Sequence, residues 1–237
     1  MQDTHFVNCT GLDDGEDAKN HRTSAYDIAL MSRELLKNHP DIQKYTTIWM
    51  DTVRGGAFGL SNTNKLIRFY PGATGLKTGF TSGAGYCLSA SAQRDGLGLI
   101  AVTMGCESSK IRNAACKAML DYGFANYALV TPALEENAAV PVRLGTAPQA
   151  AAVLEGTESL LVPKAKKAGI TTEITLEESV TAPVEKGTRL GTLKLRSGEE
   201  LLLEAPLVAA QAVPRVGFGA LFVRTLRMAA MAKALPQ

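Results

Sequence analysis

The chain of 237 residues sets 25 Lys and Arg against 23 Asp and Glu, for a net charge of +2, with 46% hydrophobic and 20% charged residues. That length and apolar content suit one sizeable core or two smaller domains, and a charge so near balance excludes the clustered basic field of a nucleic-acid binder. Cys9, Cys87, Cys106 and Cys116 are scattered with no C-x-x-C pair; zinc and thioredoxin-like sites lose their ligand spacing, and buried free thiols are the expectation. No window offers the ~18 apolar residues of a spanning helix.

The opening M-Q-D-T-H-F lacks the charged start and apolar run of a secretory signal, and no element begins before Phe6, as though Met1 were internal to a longer protein. Residues 3–23, rich in Asp, Asn and Gly, predict a surface loop with turns at Thr10-Gly11 and Asp14-Gly15. Ser24-Ala25-Tyr26-Asp27 has the form of a capping box, and Ile28, Met31 and Leu35 follow at helical spacing with Pro40 beyond. A helix is expected over about 25–38. Residues 41–60 predict a short helix and then irregular chain broken at Gly55-Gly56 and Gly59.

From residue 70 the glycines crowd together: Y-P-G-A-T-G-L-K-T-G-F-T-S-G-A-G fills 70–85, a polar stretch suited to close approach of a ligand to backbone. Three antiparallel strands are predicted at about 75–81, 85–93 and 97–105, the last two joined by the hairpin signal Arg94-Asp95-Gly96. Ser108 or Ser109 caps a following helix whose expected buried face is Ile111, Ala115, Ala118, Met119 and Tyr122, with Gly123 as its terminator. Beyond Tyr127 the texture turns to Ala, Pro, Val, Thr and Gly. Short strand-like runs at 140–144, 159–163, 172–176, 190–196 and 201–205 predict a β-rich domain, with hairpin turns at Glu185-Lys186-Gly187 and Arg196-Ser197-Gly198-Glu199.

The tail, 215–237, places Phe218, Leu221, Phe222, Leu226 and Ala229 on one helical face, with Arg215, Arg224, Arg227 and Lys233 and no acid. A basic amphipathic helix of this kind suits an anionic membrane surface; docking on its own domain or on a partner is the other reading. The organisation expected is therefore 1–128, 129–212 and a tail at 213–237. The fold class is α+β: an antiparallel sheet with helices, then a small all-β domain and an amphipathic helix.

A lone Lys is normally solvated, but Lys77-Thr78-Gly79 opens a strand after Gly72 and Gly75. In penicillin-recognising enzymes a K-T-G strand stands beside a serine nucleophile in S-x-x-K and a third motif of the S-D-N kind. Lys77 would hold positive potential over the site, Thr78 would hydrogen-bond a carboxylate, and Gly79 removes a side chain from the path of a substrate lying along the strand. His5, His21 and His39, and Ser82, Ser89 and Ser91, have no activating partner at a telling spacing.

N-T-N-K-L at 62–66, Y-P-G-A-T-G-L-K-T-G-F-T at 70–81 and A-G-Y-C-L-S-A-S-A-Q-R-D-G at 84–96 strongly resemble the low-molecular-mass penicillin-binding proteins that are serine-type D-alanyl-D-alanine carboxypeptidases. T-H-F-V-N-C-T-G-L-D at 4–13 looks like the segment after the third motif in that family, and the β-rich domain and basic tail extend the likeness over essentially the whole chain. The resemblance implies removal of the terminal D-alanine from peptidoglycan stem pentapeptides through an acyl-serine, on the outer face of the cell membrane, with β-lactams as inhibitors and no metal or organic cofactor. It implies that the Phe80 N–H serves the oxyanion hole and that Arg112 helps bind the terminal carboxylate. A class A β-lactamase shares K-T-G but lacks the long β domain and tail.

The sequence departs from the family in one large respect: it holds no Ser-x-x-Lys and no S-x-N or Y-x-N. Without nucleophile and activating lysine the covalent step is lost. The expectation is a carboxy-terminal part of a longer enzyme, inactive alone, with an exposed strand edge and apolar face. The alternative is a non-catalytic membrane- or partner-binding remnant of the same family.

Overall fold

Ser24 opens the first long helix, α1 (Ala25–Asn38), its hydroxyl accepting the Asp27 N–H at 3.2 Å. The computed structural model describes residues 1–13, 15–134, 138–156 and 159–232. The capping box does not close on itself. The Asp27 carboxylate instead accepts from the Asp3 N–H at 2.9 Å and the Thr4 hydroxyl at 2.7 Å, fastening the amino-terminal segment to the helix. That segment carries an isolated bridge between His5 and Arg22 and a 3₁₀ turn at Glu16–Asn20; the expected turn at Asp14 falls on a residue outside those described. α1 buries only Asp27 and Ser32, while Met31 and Leu35 of the expected apolar stripe are about two-fifths exposed.

After α2 (Gln43–Thr46) comes a hairpin where irregular chain was expected: β1 (Met50–Val53) and β2 (Phe58–Ser61), turning through Arg54, Gly55 and Gly56 at positive φ. All eight strand residues are exposed, so no face alternates and no period marks the pair. A single turn, α3 (Leu66–Phe69), leads to the central sheet of β3 (Ala73–Thr81), β4 (Gly85–Arg94) and β5 (Leu97–Cys106), antiparallel in that order. Asp95 and Gly96 both take positive φ, as a tight two-residue hairpin with right-twisted strands requires.

α4 (Ser109–Asn126) lies against β4 and β5, capped by the Ser108 hydroxyl on the Ile111 N–H at 3.2 Å. Its buried stripe is Arg112, Cys116, Leu120, Gly123 and Phe124, displaced from the expected one; Ile111, Met119 and Tyr122 are exposed. The displacement has a chemical cause, because the side chains turned to the sheet satisfy its carbonyls: Arg112 reaches Cys87 O, and the Cys116 thiol lies 3.6 Å from Ala101 O. Gly123 does not end the helix. A Cβ there would stand 2.5 Å from Leu99 Cδ1, so the glycine admits the sheet's leucine into the helix surface. Cys116 alone of the four thiols is buried, which pushes its pKa up; Cys9 is exposed and Cys87 and Cys106 half-buried, against the expectation of four interior thiols.

The chain divides into Met1–Ala128 and Leu129–Gln237, with β6 (Tyr127–Val130) at the junction. The second unit adds β7 (Ala139–Arg143), β8 (Gln149–Leu154), β9 (Leu160–Pro163), α5 (Lys164–Lys167), β10 (Ile170–Leu176), β11 (Val180–Thr181), β12 (Arg189–Ser197) and β13 (Glu200–Ala209). Six of these strands form one sheet in the order β10-β12-β13-β8-β7-β11, all pairs antiparallel except β11 with β7. Inward residues of alternating strands build its core, with Leu190, Leu193, Leu195 and Leu207 of β12 and β13 at 1% exposure or less. The 196–199 turn joins β12 to β13 as expected, whereas 185–187 is a turn that joins no hairpin. α6 (Phe218–Ala232) ends the described chain, with Phe218, Phe222 and Leu226 exposed. Lys233 lies outside the described residues, and the placing of Arg224 and Ala229 on a helical face is likewise not described.

Candidate active site

β3 is an edge strand, bonded to β4 on one side only, so alternate N–H and C=O groups along its other side lack a strand partner. On it the K-T-G residues occupy consecutive register positions: Lys77 opposite Ser89, Thr78 opposite Leu88, Gly79 opposite Cys87 and Phe80 opposite Tyr86. Lys77 is exposed and its ammonium donates to the carbonyl of Thr78. Gly79 is not required by the fold. Its φ is unexceptional, and the nearest atom to an added Cβ would be Cys87 Cβ at 3.9 Å, an ordinary contact. What the missing side chain clears is the space over the strand. Phe80 is 57% exposed and its ring stacks on Tyr86, with centroids 4.3 Å apart.

Residues 62–64 form the neighbouring wall, and the residue-by-residue reading gave them no role. Asn62 donates its amide to Thr46 O at 3.2 Å and Ile48 O at 3.0 Å. Asn64, 2% exposed, donates to Gly75 O at 2.9 Å and accepts the Leu66 N–H at 3.2 Å. Between them Thr63 turns outward and its hydroxyl meets that of Thr78 at 2.6 Å. Their sequence signals were the N-T-N-K-L run shared with the family and the pair of asparagines flanking a threonine, residues that favour local side chain to backbone bonds.

Arg112 is brought to this place but is 4% exposed. Its Nη1 donates to Cys87 O and Nη2 to Thr63 O, each at 3.4 Å, Nε donates to Asn113 Oδ1 at 3.2 Å, and the guanidinium carbon lies 5.8 Å from the centre of the Tyr86 ring. Of its five N–H groups three are therefore engaged, and in this geometry the residue supports the wall from behind. Two other hydroxyl pairs line the sheet face toward α1: Ser32 with Ser89 at 2.7 Å and Thr74 with Ser91 at 2.8 Å. Ser89 and Ser91 are thereby buried and committed. His21 accepts the Val7 N–H, His5 bridges to Arg22 and His39 caps α1, all away from K-T-G in sequence and bonding. No cluster of three His, Cys, Asp or Glu suited to a metal occurs among the described residues. A cleft of about 590 Å³ opens elsewhere on the same unit, between Arg33, Lys37 and Gln43 on one side and Thr74, Ser91 and Gln93 on the other; it contains none of the K-T-G residues.

At the end of β4 away from K-T-G in register, Arg94 is held between two rings, 4.5 Å from the centre of Tyr70 and 4.4 Å from that of Phe124, and it donates to Pro71 O. The Tyr70 hydroxyl donates to Asp121 at 2.9 Å, and burial, with that bond, pushes the phenol pKa up to about 12. These contacts tie the turn before β3 to the end of α4.

Comparison with known proteins identifies the family. A family model described as D-alanyl-D-alanine carboxypeptidase matches residues 1–108, and one for the carboxy-terminal domain of penicillin-binding protein 5 matches residues 131–215. The chain is 38% identical over 233 residues to D-alanyl-D-alanine carboxypeptidase DacF of Bacillus subtilis, covering 95% of this chain and 58% of the relative. It is 31% identical to DacD of Escherichia coli, over 94% of this chain and 56% of the relative. Among solved structures, penicillin binding protein 5 from Haemophilus influenzae superposes with a TM-score of 0.66 at 27% identity, over 90% of this chain and 61% of that one. Penicillin binding protein 6B from Escherichia coli gives 0.57 at 28% identity, over 80% and 50%. The chain thus spans little more than half the length of these curated relatives. With the two family models falling one on each unit, and the K-T-G strand within the first, the chain belongs to the D-alanyl-D-alanine carboxypeptidase family of low-molecular-mass penicillin-binding proteins.

Proposed function

We propose that the first unit supplies the substrate-binding wall of a serine-type D-Ala-D-Ala carboxypeptidase, acting on peptidoglycan stem peptides through an acyl-serine. The observation that carries the reading is the edge of β3 past Gly75, unpaired by any strand among the described residues, where Lys77, the Thr78 hydroxyl and the gap over Gly79 lie in sequence. A peptide laid along such an edge gains backbone hydrogen bonds, Thr78 receives the terminal carboxylate, and the Phe80 N–H donates to the developing oxyanion. Lys77 and the Arg112 guanidinium behind Thr63 keep the wall positive. Ser-x-x-Lys is absent from the sequence, so the nucleophile and its lysine lie outside these 237 residues and the covalent step is not performed by them. β-Lactams, which mimic the same carboxyl-terminal amide, share the wall.

For the second unit we propose attachment to the outer face of the cell membrane through α6. Phe218 is 85% and Phe222 57% exposed, with Arg215 and Arg227 in the same segment and no acid, the composition of an interfacial helix. No helix among the described residues is long and apolar enough to cross a bilayer. The missing Ser-x-x-Lys equally favours a second reading, in which the chain is a non-catalytic remnant that contacts membrane or partner through this unit.

Isothermal titration with an acyl-Lys-D-Ala-D-Ala tripeptide separates the two. The wall predicts reversible binding to the 237-residue chain that Lys77→Ala abolishes, and no covalent adduct with a fluorescent penicillin. Absence of peptide binding, or binding indifferent to Lys77→Ala, leaves the remnant reading; a covalent adduct contradicts the claim that the nucleophile lies elsewhere.

A further inference from the structure

The Thr63 hydroxyl is exposed, yet everything around it is fixed. Its own carbonyl is held by Arg112 Nη2 at 3.4 Å. Its predecessor Asn62 is tied to Thr46 O and Ile48 O, and its successor Asn64, buried, to Gly75 O of β3. Three side-chain anchors on three consecutive residues are far more than an exposed turn needs, and the result is one hydroxyl set 2.6 Å from Thr78 Oγ1. No other hydrogen bond to either hydroxyl is present among the described residues.

We infer that Thr63 is a positioning residue that fixes the direction of the Thr78 hydroxyl, which rests on the reading of Thr78 as the carboxylate ligand. A threonine hydroxyl carries one proton and accepts through its lone pairs. Two hydroxyls in contact share one proton between them, which leaves one proton free to donate. Thr63 is assigned as the donor of this pair, so that the Thr78 oxygen accepts from it and points its own proton at the open edge of β3. An anion placed there meets a donor already oriented, and the rotamer of Thr78 is settled before it arrives. Arg112 and Asn64 act one step further back, by holding the Thr63 backbone.

The measurement is the χ1 rotamer of Thr78 in the 237-residue chain, read from its three-bond Cγ2–N and Cγ2–C′ couplings, in the wild type and in Thr63→Val, Thr63→Ala and Thr63→Ser. Thr63→Val keeps the shape and removes the hydroxyl; Thr63→Ala guards against a push from the added methyl. A single rotamer is expected for wild type and Thr63→Ser, and rotamer averaging for both Thr63→Val and Thr63→Ala. A Thr78 that stays in one rotamer in either hydroxyl-free variant overturns the inference. So does averaging in the wild type. Titration adds the functional consequence: Thr63→Val weakens an acyl-Lys-D-Ala-D-Ala tripeptide roughly five- to tenfold and leaves the carboxyl-terminal amide of the same peptide unchanged, while Thr63→Ser restores the wild-type value. Equal weakening of acid and amide overturns the inference as well. A wild type that binds no peptide while the couplings respond as expected removes the carboxypeptidase reading and leaves the positioning role standing.

Discussion

Asn64→Ala tests the wall beside K-T-G at its most buried point. The side chain is 2% exposed, donates to Gly75 O at 2.9 Å and accepts the Leu66 N–H at 3.2 Å. Truncation leaves a buried carbonyl and a buried N–H without partners, each worth about 1–3 kcal/mol, so a loss of about 2–6 kcal/mol is expected, a large share of the ~5–15 kcal/mol that holds a domain together. Asn64→Asp is expected to cost more, since a carboxylate cannot donate to Gly75 O and sets a buried charge against a carbonyl. Urea unfolding followed by far-ultraviolet circular dichroism reads the change as a lower midpoint at unchanged slope. An Asn64→Ala chain within about 0.5 kcal/mol of wild type, the range of an ordinary surface change, refutes the claim that this amide fastens residues 62–64 to β3.

Three further outcomes follow from the same geometry. Gly191→Ala in β12 would put a Cβ 2.2 Å from Thr175 O and 3.0 Å from Leu176 Cα; backbone atoms cannot swing aside, and a loss of about 2 kcal/mol or more is expected in the unfolding of the second unit, with a neutral result showing that β10 and β12 are not so closely paired. Tyr70 has its pKa raised in the fold to about 12, above the ~10 of a free phenol, so its contribution to stability is whole below pH 10 and is lost as pH rises from 10 through 12; Tyr70→Phe should flatten the urea midpoint over that window, and an unchanged slope there contradicts the buried Tyr70–Asp121 bond. Phe222→Asp should release the chain from vesicles of anionic lipid in a sedimentation assay while wild type co-sediments, and equal binding of the two contradicts an interfacial role for α6.

The sequence disclosed the parts of this molecule where local chemistry and tertiary demand agree. Ser24 and Ser108 cap helices as their spacing predicts, and Arg94-Asp95-Gly96 turns a hairpin because only positive φ closes it. The central strands were legible through the glycine-rich K-T-G stretch and the Arg94-Asp95-Gly96 hairpin signal. β1 and β2 were not, since both are exposed on either face and carry no hydrophobic period. β8 reads Gln-Ala-Ala-Ala-Val-Leu, and alanine is a poor strand former; it sits inside a six-stranded sheet because Ala150 and Ala152 fit among the leucines of the core.

The site divides in the same way. Lys77, Thr78 and Gly79 could be named from the tripeptide and its glycine-rich surroundings, because the chemistry belongs to consecutive residues on one strand. Thr63 could not, because its partner stands fifteen residues away and the contact exists only once Asn62 and Asn64 have been drawn against α2 and β3. The face of α4 was misjudged for a related reason. Apolar periodicity selected Ile111, Met119 and Tyr122, whereas the sheet takes Arg112 and Cys116, which answer its carbonyls. Where backbone acceptors need partners, polarity can outrank hydrophobicity in choosing the buried side.

The central claim is that the strand-unpaired edge of β3 at residues 77–80 recognises a D-Ala-D-Ala terminus. It is tested most directly by backbone amide shifts of the 237-residue chain during titration with acyl-Lys-D-Ala-D-Ala and with its L-Ala-L-Ala counterpart. The account predicts saturable shifts centred on Lys77, Thr78, Gly79 and Phe80, extending to Thr63, for the D,D peptide alone. Shifts of equal size with the L,L peptide, or shifts that leave β3 untouched, would contradict it.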